Sequence, residues 1–530
     1  MADLDPVFAT EIGVGGRDDR LTDYSPAGCA ARTDAARHTL SALAAAPITD
    51  EVDRISVATI SAQLNRTVAI DEAGLRVGEL NVIASPLQAM RDAFDAMSVD
   101  SADDRTALVD RVAAVPRCID GIIAGLRARA AAGPAPARRQ VDAVAAQAPR
   151  AITGIAAKVA EALARDGDLE SASTAALGAA RTALDDLARV LVEEIGPTAV
   201  DHDAVGRDRY TLHSAHFVGD VIDPEEAYAW GLEQMAAVIA EQEQLAEIVA
   251  PGAGVRGALS ALDADPRYLI EGSAAFAAWM QELSDRSLTA LAGTHFDIPA
   301  ELGRLECCIA PAATGGIYYT APSEDMSRPG RMWWSVPPQQ QTFHTWQETT
   351  TVFHEGVPGH HLQIGQAMIS PELNRWRKLA SFSSGHGEGW ALYSERLMGE
   401  LGWLDDPGDR LGMLDSQRLR IARVIVDIGV HCAMPAPEAV GGGTWDADKA
   451  WTYLTDAVAM QRSVLRFELD RYLGWPGQAP SYALGQRVWQ QARDTFLTAD
   501  PTHTLREFHS RALRLGGVSL DVLRSEFAAG

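Results

Sequence analysis

Cysteine is scarce in this chain of 530 residues: Cys29, Cys118, Cys307, Cys308 and Cys432 are the only five, and no Cys-x-x-Cys spacing occurs. An odd and scattered set excludes a disulfide framework and fits a reducing compartment. Cys432 follows His431, but a buried structural thiol is the expected role. Aromatic residues make up only 6% of the chain, and much of its 47% apolar content is alanine. Alanine favours helix but contributes little core volume. Positive charge is also short. The net charge of −26, with a pI near 4.9, argues against a general nucleic-acid or membrane-surface binder, because phosphates would be repelled. No run of 18 or more apolar residues occurs, so no membrane span is expected. The first residues, Met-Ala-Asp-Leu-Asp-Pro, carry no basic and apolar signal segment, and a cytoplasmic location is the expectation. No alternation of strands with helices is visible, which disfavours a doubly wound α/β fold.

Helical patterning dominates instead. Residues 1–30 are rich in Gly, Asp and Arg and read as loop. From about 31 to 200 the chain is Ala-rich with helical period, as at Leu40, Leu43 and Ala44. Pro134 and Pro136 interrupt it and suggest a connection between helices. Asp223-Pro224-Glu225-Glu226 is a helix start, with Asp at the cap and Pro in the first turn, and a helix to about Val249 should follow. Another is expected over Ala274–Ala292, with Trp279, Leu283 and Leu288 inward. Between Ala310 and Pro338 the composition changes to Gly315-Gly316, a Tyr pair, two Trp and several prolines. Ile317-Tyr318-Tyr319-Thr320 and Met332-Trp333-Trp334-Ser335 read there as short strands of a hairpin. The expected architecture is mainly α. An N-terminal Ala-rich helical region (1–204) precedes a metal-binding catalytic region (205–530), packed as a large helical body around a metal cleft with one small sheet or hairpin.

The densest chemistry lies in His354-Glu355-Gly356-Val357-Pro358-Gly359-His360-His361. Zinc hydrolases need neutral imidazoles to hold the ion and a nearby carboxylate to take a proton from water. The compact H-E-x-x-H form is absent, since Pro358 occupies the position four after His354. On a regular helix His360 would lie roughly 9 Å along and about 120° around from His354. His361 would return to the same face, but roughly 10.5 Å away. Neither pair could share an ion at ~2.1 Å bond lengths. Pro358 and Gly359, however, disfavour a regular helix, and a bulge there could draw His360 or His361 back toward His354. Downstream, Glu388 in Gly387-Glu388-Gly389-Trp390-Ala391-Leu392-Tyr393-Ser394-Glu395 can supply a third ligand from a second helix. Two His and one Glu leave a coordination position open. Glu395, two turns beyond Glu388, could orient a histidine. His344 and His386 read as supporting or surface histidines, and His509 as structural. On the segment Ser416–His431, Arg420, Arg423, Asp427 and His431 form a polar stripe. It is either a buried Arg423–Asp427 pair holding the helix, or Arg423 binding a substrate carboxylate with His431 donating to an oxyanion.

The H-E-x-x-P-G-H-H segment followed by E-G-W-A-L-Y-x-E resembles the DUF885 family, which in turn resembles the gluzincin metallopeptidases. The resemblance extends to Gly316–Tyr319, Ser327–Gly330, Arg420–His431, Trp475–Gln478, Tyr482, Gly485 and Arg506–His509, roughly residues 205 to 525. It implies His360 as the second ligand, with His361 as its rival, and Tyr482 as an oxyanion donor. It also implies a substrate edge at the hairpin carrying Tyr318 and Tyr319. The expected function is zinc-dependent hydrolysis of a peptide or amide bond. His354, His360 and Glu388 would hold one Zn2+, and Glu355 would be the general base. The alternative is a zincin-like scaffold that binds a peptide or small ligand without catalysis. Neither nucleic acid nor membrane is an expected partner, and the oligomeric state stays open.

Overall fold

The computed structural model describes residues 2–310, 316–337 and 339–528, so Gly315 and Pro338 lie outside the described residues. The chain is mainly α, and among the described residues its strands lie in two small sheets. In order the helices are α1 Pro6–Glu11, α2 Pro26–Ala45, α3 Glu51–Glu72, α4 Pro86–Asp95, α5 Ala102–Ala132, α6 Arg138–Gln147, α7 Ala151–Leu163, α8 Glu170–Val190, α9 Arg207–Val218, α10 Pro224–Val249, α11 Gly254–Ala264 and α12 Ser273–Leu291. There follow α13 Thr345–Glu355, α14 His360–Ile369, α15 Arg375–Leu379, α16 Ser384–Glu400, α17 Pro407–His431, α18 Ala447–Ala457, α19 Arg462–Gly474, α20 Ser481–Ala499, α21 Leu505–Arg514 and α22 Leu520–Ala528. Among the described residues no single helix is long and apolar enough to cross a membrane. The chain divides into two compact units: residues 1–47, 64–212 and 466–476, and residues 48–63, 213–465 and 477–530.

The first unit answers its alanine content with a branched-aliphatic seam. Leu108, Val112, Val115, Ile119, Ile122 and Leu126 recur at alternating steps of four and three along α5 and are all buried. They pack against α8, where Ala176, Ala180, Leu184 and Leu187 are buried at steps of four, four and three. Each aliphatic side chain so buried is worth roughly 1.5–3 kcal/mol, and the small alanines let the helices approach. The expected connection near Pro134 separates α5 from α6. The first thirty residues are not all loop: Asp5 caps α1 by accepting from the Phe8 amide. That helix is too short to show a period.

The second unit is where the motifs meet. Asp223 caps α10 by accepting from the Glu225 and Glu226 amides, and the helix runs to Val249. On α12 the inward face is Phe276, Met280, Leu283 and Leu291, with Trp279 and Leu288 only half-buried. This corrects the sequence reading of Trp279 and Leu288. Phe276 sets the face by stacking on Phe343 at 4.2 Å and meeting Trp334 edge-on at 5.7 Å. Strands β1 Leu269–Glu271 and β5 Thr342–His344 pair antiparallel, and β5 leads straight into α13. The other sheet has the order β2-β4-β3, from β2 Glu306–Ile309, β3 Ile317–Thr320 and β4 Arg331–Trp334. The expected hairpin is its antiparallel β3–β4 pair, with Tyr318 opposite Trp333 and Tyr319 opposite Met332. Cys432 is half-buried, not buried as expected, and no cysteine is in a disulfide.

Two glycine contacts bring the chemistry-bearing helices together. A Cβ on Gly389 would collide with the backbone of Gly485, so α16 and α20 cross with main chains in contact. A Cβ on Gly412 would overlap the Trp346 carbonyl oxygen, where α17 passes α13.

Candidate metal centre

The histidine-rich segment is not one bulged helix, as the sequence reading supposed. It is the end of one helix and the start of the next. α13 stops at Glu355 and α14 begins at His360. The four residues between them turn at Gly356 (φ −96°, ψ −126°) and Gly359 (φ −71°, ψ −132°), and the Val357–Pro358 peptide is cis. Gly359 has no room for a side chain, since a Cβ there would overlap the Phe353 and His354 carbonyl oxygens. The turn is tied by the Gly359 amide to Phe353 O (3.1 Å) and the His361 amide to Gly356 O (3.1 Å). The fully buried Trp390 of α16 donates its indole N–H to Pro358 O (2.8 Å) and Gly359 O (3.2 Å). The tryptophan near Glu388 therefore satisfies the Pro358 carbonyl at the helix break and shares the Gly359 carbonyl with the Gln363 amide (3.1 Å).

This turn brings His354, His360 and Glu388 together, and their donor atoms lie within 4.8 Å of one another. His354 Nε2 is 3.3 Å and His360 Nε2 3.6 Å from Glu388 Oε2. Tetrahedral bonds of ~2.1 Å place neighbouring ligand atoms about 3.4 Å apart. Two of the three separations match that edge, so the donor set fits a small divalent ion. The imidazole rings stand at 88° to each other, which lets both aim at one point.

The supporting groups follow the same logic. His354 Nδ1 donates to Glu395 Oε1 (2.8 Å), which leaves Nε2 as its ligand atom, and Thr350 Oγ1 donates to Glu395 Oε2 (2.7 Å). Thr350 sits one turn before His354 and went unnoticed in the sequence, where a lone helical threonine carries no signal. Burial opposes charge on His354, but the hydrogen bonds to Glu388 and Glu395 outweigh it and push its pKa up to about 10. Burial likewise opposes ionisation of Glu388, yet the two imidazoles hold it well below the usual carboxylate range. Glu355 is only 6% exposed, and its Oε2 has no hydrogen-bond partner among the described residues. Burial raises its pKa, against the opposing charges of His360, His354 and Arg420.

His361 turns the other way. It is fully buried and donates Nε2–H to Gly303 O (3.4 Å), so its Nδ1 accepts from the Tyr319 hydroxyl (3.0 Å). Burial pushes its pKa down to about 4. Gly330 of the Ser327–Gly330 segment packs on this Tyr319–His361 pair. Tyr319 thus anchors β3 to α14, while Tyr318 on the opposite face is 43% exposed and stacks on Trp333. The α17 stripe is built around the late loop: Asp427 Oδ2 accepts from the Gly477 amide (2.9 Å) and Oδ1 lies 4.0 Å from His431 Nε2. The Arg423 guanidinium stacks on the Tyr482 ring, 4.6 Å from its centroid. His344 Nδ1 is 3.5 Å from Asp263, and buried His509 accepts from Tyr393 OH (2.9 Å) and stacks on Phe296.

The comparison with protein families covers nearly all of this framework: the family described as "Bacterial protein of unknown function (DUF885)" matches residues 6–527. The chain belongs to the DUF885 family. Two solved structures share the fold. One is described as a "putative lipoprotein" from Colwellia psychrerythraea, with TM-score 0.87 and 20% identity, covering 100% of this chain and 96% of that one. The other is described as a "putative lipoprotein of unknown function" from Shewanella oneidensis, with TM-score 0.77 and 15% identity, covering 99% and 97%. No curated protein matches the chain.

Proposed function

We propose that this DUF885 protein is a zinc-dependent hydrolase of peptide or amide bonds, similar in chemistry to the gluzincins. The observation that carries the reading is the convergence of His354, His360 and Glu388 at 3.3 and 3.6 Å, beside the buried carboxylate of Glu355. A divalent ion in that donor set supplies Lewis acidity, polarising a carbonyl and acidifying water. Zinc suits two imidazoles and a carboxylate, although other divalent ions accept the same set. Glu355 takes the proton as the water oxygen bonds to the carbonyl carbon. It returns that proton to the amine as the carbon–nitrogen bond breaks. Burial supports this role by raising the proton affinity of Glu355. Tyr482 and His431 are the proposed oxyanion donors, and Arg423 and the Tyr318–Tyr319 strand the proposed substrate contacts. Since β3 pairs only with β4 among the described strands, its other edge is the one offered to an extended substrate. The cytoplasmic location belongs to the same proposal, on the strength of five thiols outside any disulfide.

The rival reading is a zincin-like scaffold without catalysis, motivated by the stretched motif. The donor separations weigh against it. The deciding experiment pairs metal analysis with digestion of a peptide library. Glu355→Gln should keep stoichiometric metal and lose chelator-sensitive cleavage by about 10²–10⁴-fold. Full activity in that variant would remove Glu355 as the base.

A further inference from the structure

Beside the metal centre the second unit holds an aromatic ring in solvent. Phe382 is 56% exposed, whereas its neighbours Ser381 and Ser383 are 2% and 7% exposed, so a fixed segment turns the ring outward. Ser381 Oγ donates to Arg377 O (2.7 Å), and the Phe382 carbonyl accepts from Gln63 Nε2 (3.3 Å). A lone exposed phenylalanine needs no explanation. This one, however, lies against α16: a Cβ on Gly387 would overlap its ring, 2.7 Å from Cζ, so ring and helix backbone are in contact. Gly387 directly precedes the candidate ligand Glu388. Ser384, Gly387 and Glu388 stand at i, i+3 and i+4 and share one face of α16. On the first two turns of that helix only Ser384 and Glu388 escape full burial, while Gly385, His386, Gly387, Gly389 and Trp390 are buried. Solvent therefore reaches the Glu388 carboxylate on the face against which the ring lies. The late loop meets the same face, with Ser481 Oγ 2.7 Å from Ser384 Oγ and Tyr482 next in the chain.

A phenyl ring held in water gains by being covered, and the group best placed to cover this one is whatever is brought to Glu388 for reaction. We propose that Phe382 is a specificity-determining residue that receives a large apolar or aromatic side chain of the substrate, next to the bond to be cleaved. The substrate class narrows accordingly to peptides or amides with such a side chain beside the scissile bond. The inference rests on the proposed hydrolytic site for what is brought there, and on the Phe382–Gly387 contact for where it lies. Covering roughly half of a benzyl group with apolar surface is worth about tenfold in affinity over a methyl group.

The test reads binding to the zinc-loaded full chain, so it is independent of turnover. The probes are peptide hydroxamates, which hold zinc through two oxygens, with a benzyl or a methyl side chain on either side of the zinc-binding group. The expected result is that, on one of the two sides, the benzyl probe binds at least about tenfold tighter than the methyl probe. That margin should fall to about threefold or less in Phe382→Ala and be largely kept in Phe382→Leu, with affinity for the methyl probe changed by less than about threefold. Phe382 lies outside the core, so both variants should fold. A margin equal in wild type and Phe382→Ala, or no margin on either side in the wild type, overturns the subsite. A margin that depends on Phe382 in a protein that cleaves no peptide overturns the hydrolase reading and leaves the subsite standing. A chain that takes up no zinc overturns both.

Discussion

Replacing Glu395 with glutamine tests whether the metal centre depends on groups that never touch the ion. Glu395 is fully buried and accepts from His354 Nδ1 at 2.8 Å and from Thr350 Oγ1 at 2.7 Å. Glutamine is nearly isosteric. Its oxygen can still accept from His354, and the Thr350 hydroxyl can rotate to accept from the new amide. Geometry is preserved and only the negative charge is lost, so His354 becomes a weaker donor. Loss of such an outer partner typically costs 10–100-fold in metal affinity, about 1.4–2.7 kcal/mol. Competition against a chromophoric zinc chelator reads this once each affinity is corrected for the protons released on binding, because Glu395 also raises the His354 pKa. Thr350→Val serves as the milder control, since it removes one hydrogen bond and no charge. A Glu395→Gln protein whose affinity stays within about twofold of wild type would refute the argument that the carboxylate tunes the ligand.

Three further outcomes follow from the same geometry. His361→Asn should retain stoichiometric metal, because the His361 ring is committed to Tyr319 and Gly303; loss of the ion, read by atomic absorption, would restore His361 as a ligand. Metal binding should release a proton. His354 is held protonated to about pH 10 in the metal-free protein and must shed that proton to coordinate, so affinity should rise with pH; calorimetry in buffers of different ionisation enthalpy counts the proton. His509, pushed down to about 3 by burial, should stay neutral in NMR titrations through pH 5. Its folded pKa lies below the unfolded value near 6.5, so its stabilisation is complete above pH 6.5 and is lost as pH falls toward 3. The stability advantage of wild type over His509→Gln should therefore shrink by up to about 1.4 kcal/mol per pH unit in that window.

Local rules carried much of the fold. Asp223-Pro224 marked the start of α10 and Pro358-Gly359 marked a break, because capping and the missing proline amide are properties of a few neighbouring residues. The extent of that break was not legible. A full separation into two helices leaves the Pro358 carbonyl to be paired by the Trp390 indole, from some thirty residues downstream. The inward face of α12 was misjudged for a similar reason: Phe343 and Trp334 select Phe276, and no periodicity within α12 contains them. At the site, residue chemistry nominated His354, His360 and Glu388, and left His360 and His361 to be separated by resemblance. The separation visible in the structure comes from Tyr319 and Gly303, on parts of the chain with no spacing relation to the motif.

Delivering one imidazole from the last turn of α13 and the other from the first turn of α14 has an electrostatic result that a continuous helix cannot give. The carbonyl end of a helix carries a partial negative charge and the amide end a partial positive one, each felt within about a turn. The same small volume is thus met by a terminus that favours a cation and by another that favours an anion next to it. A single rod running through both histidines would present neither end, only the neutral middle of its dipole.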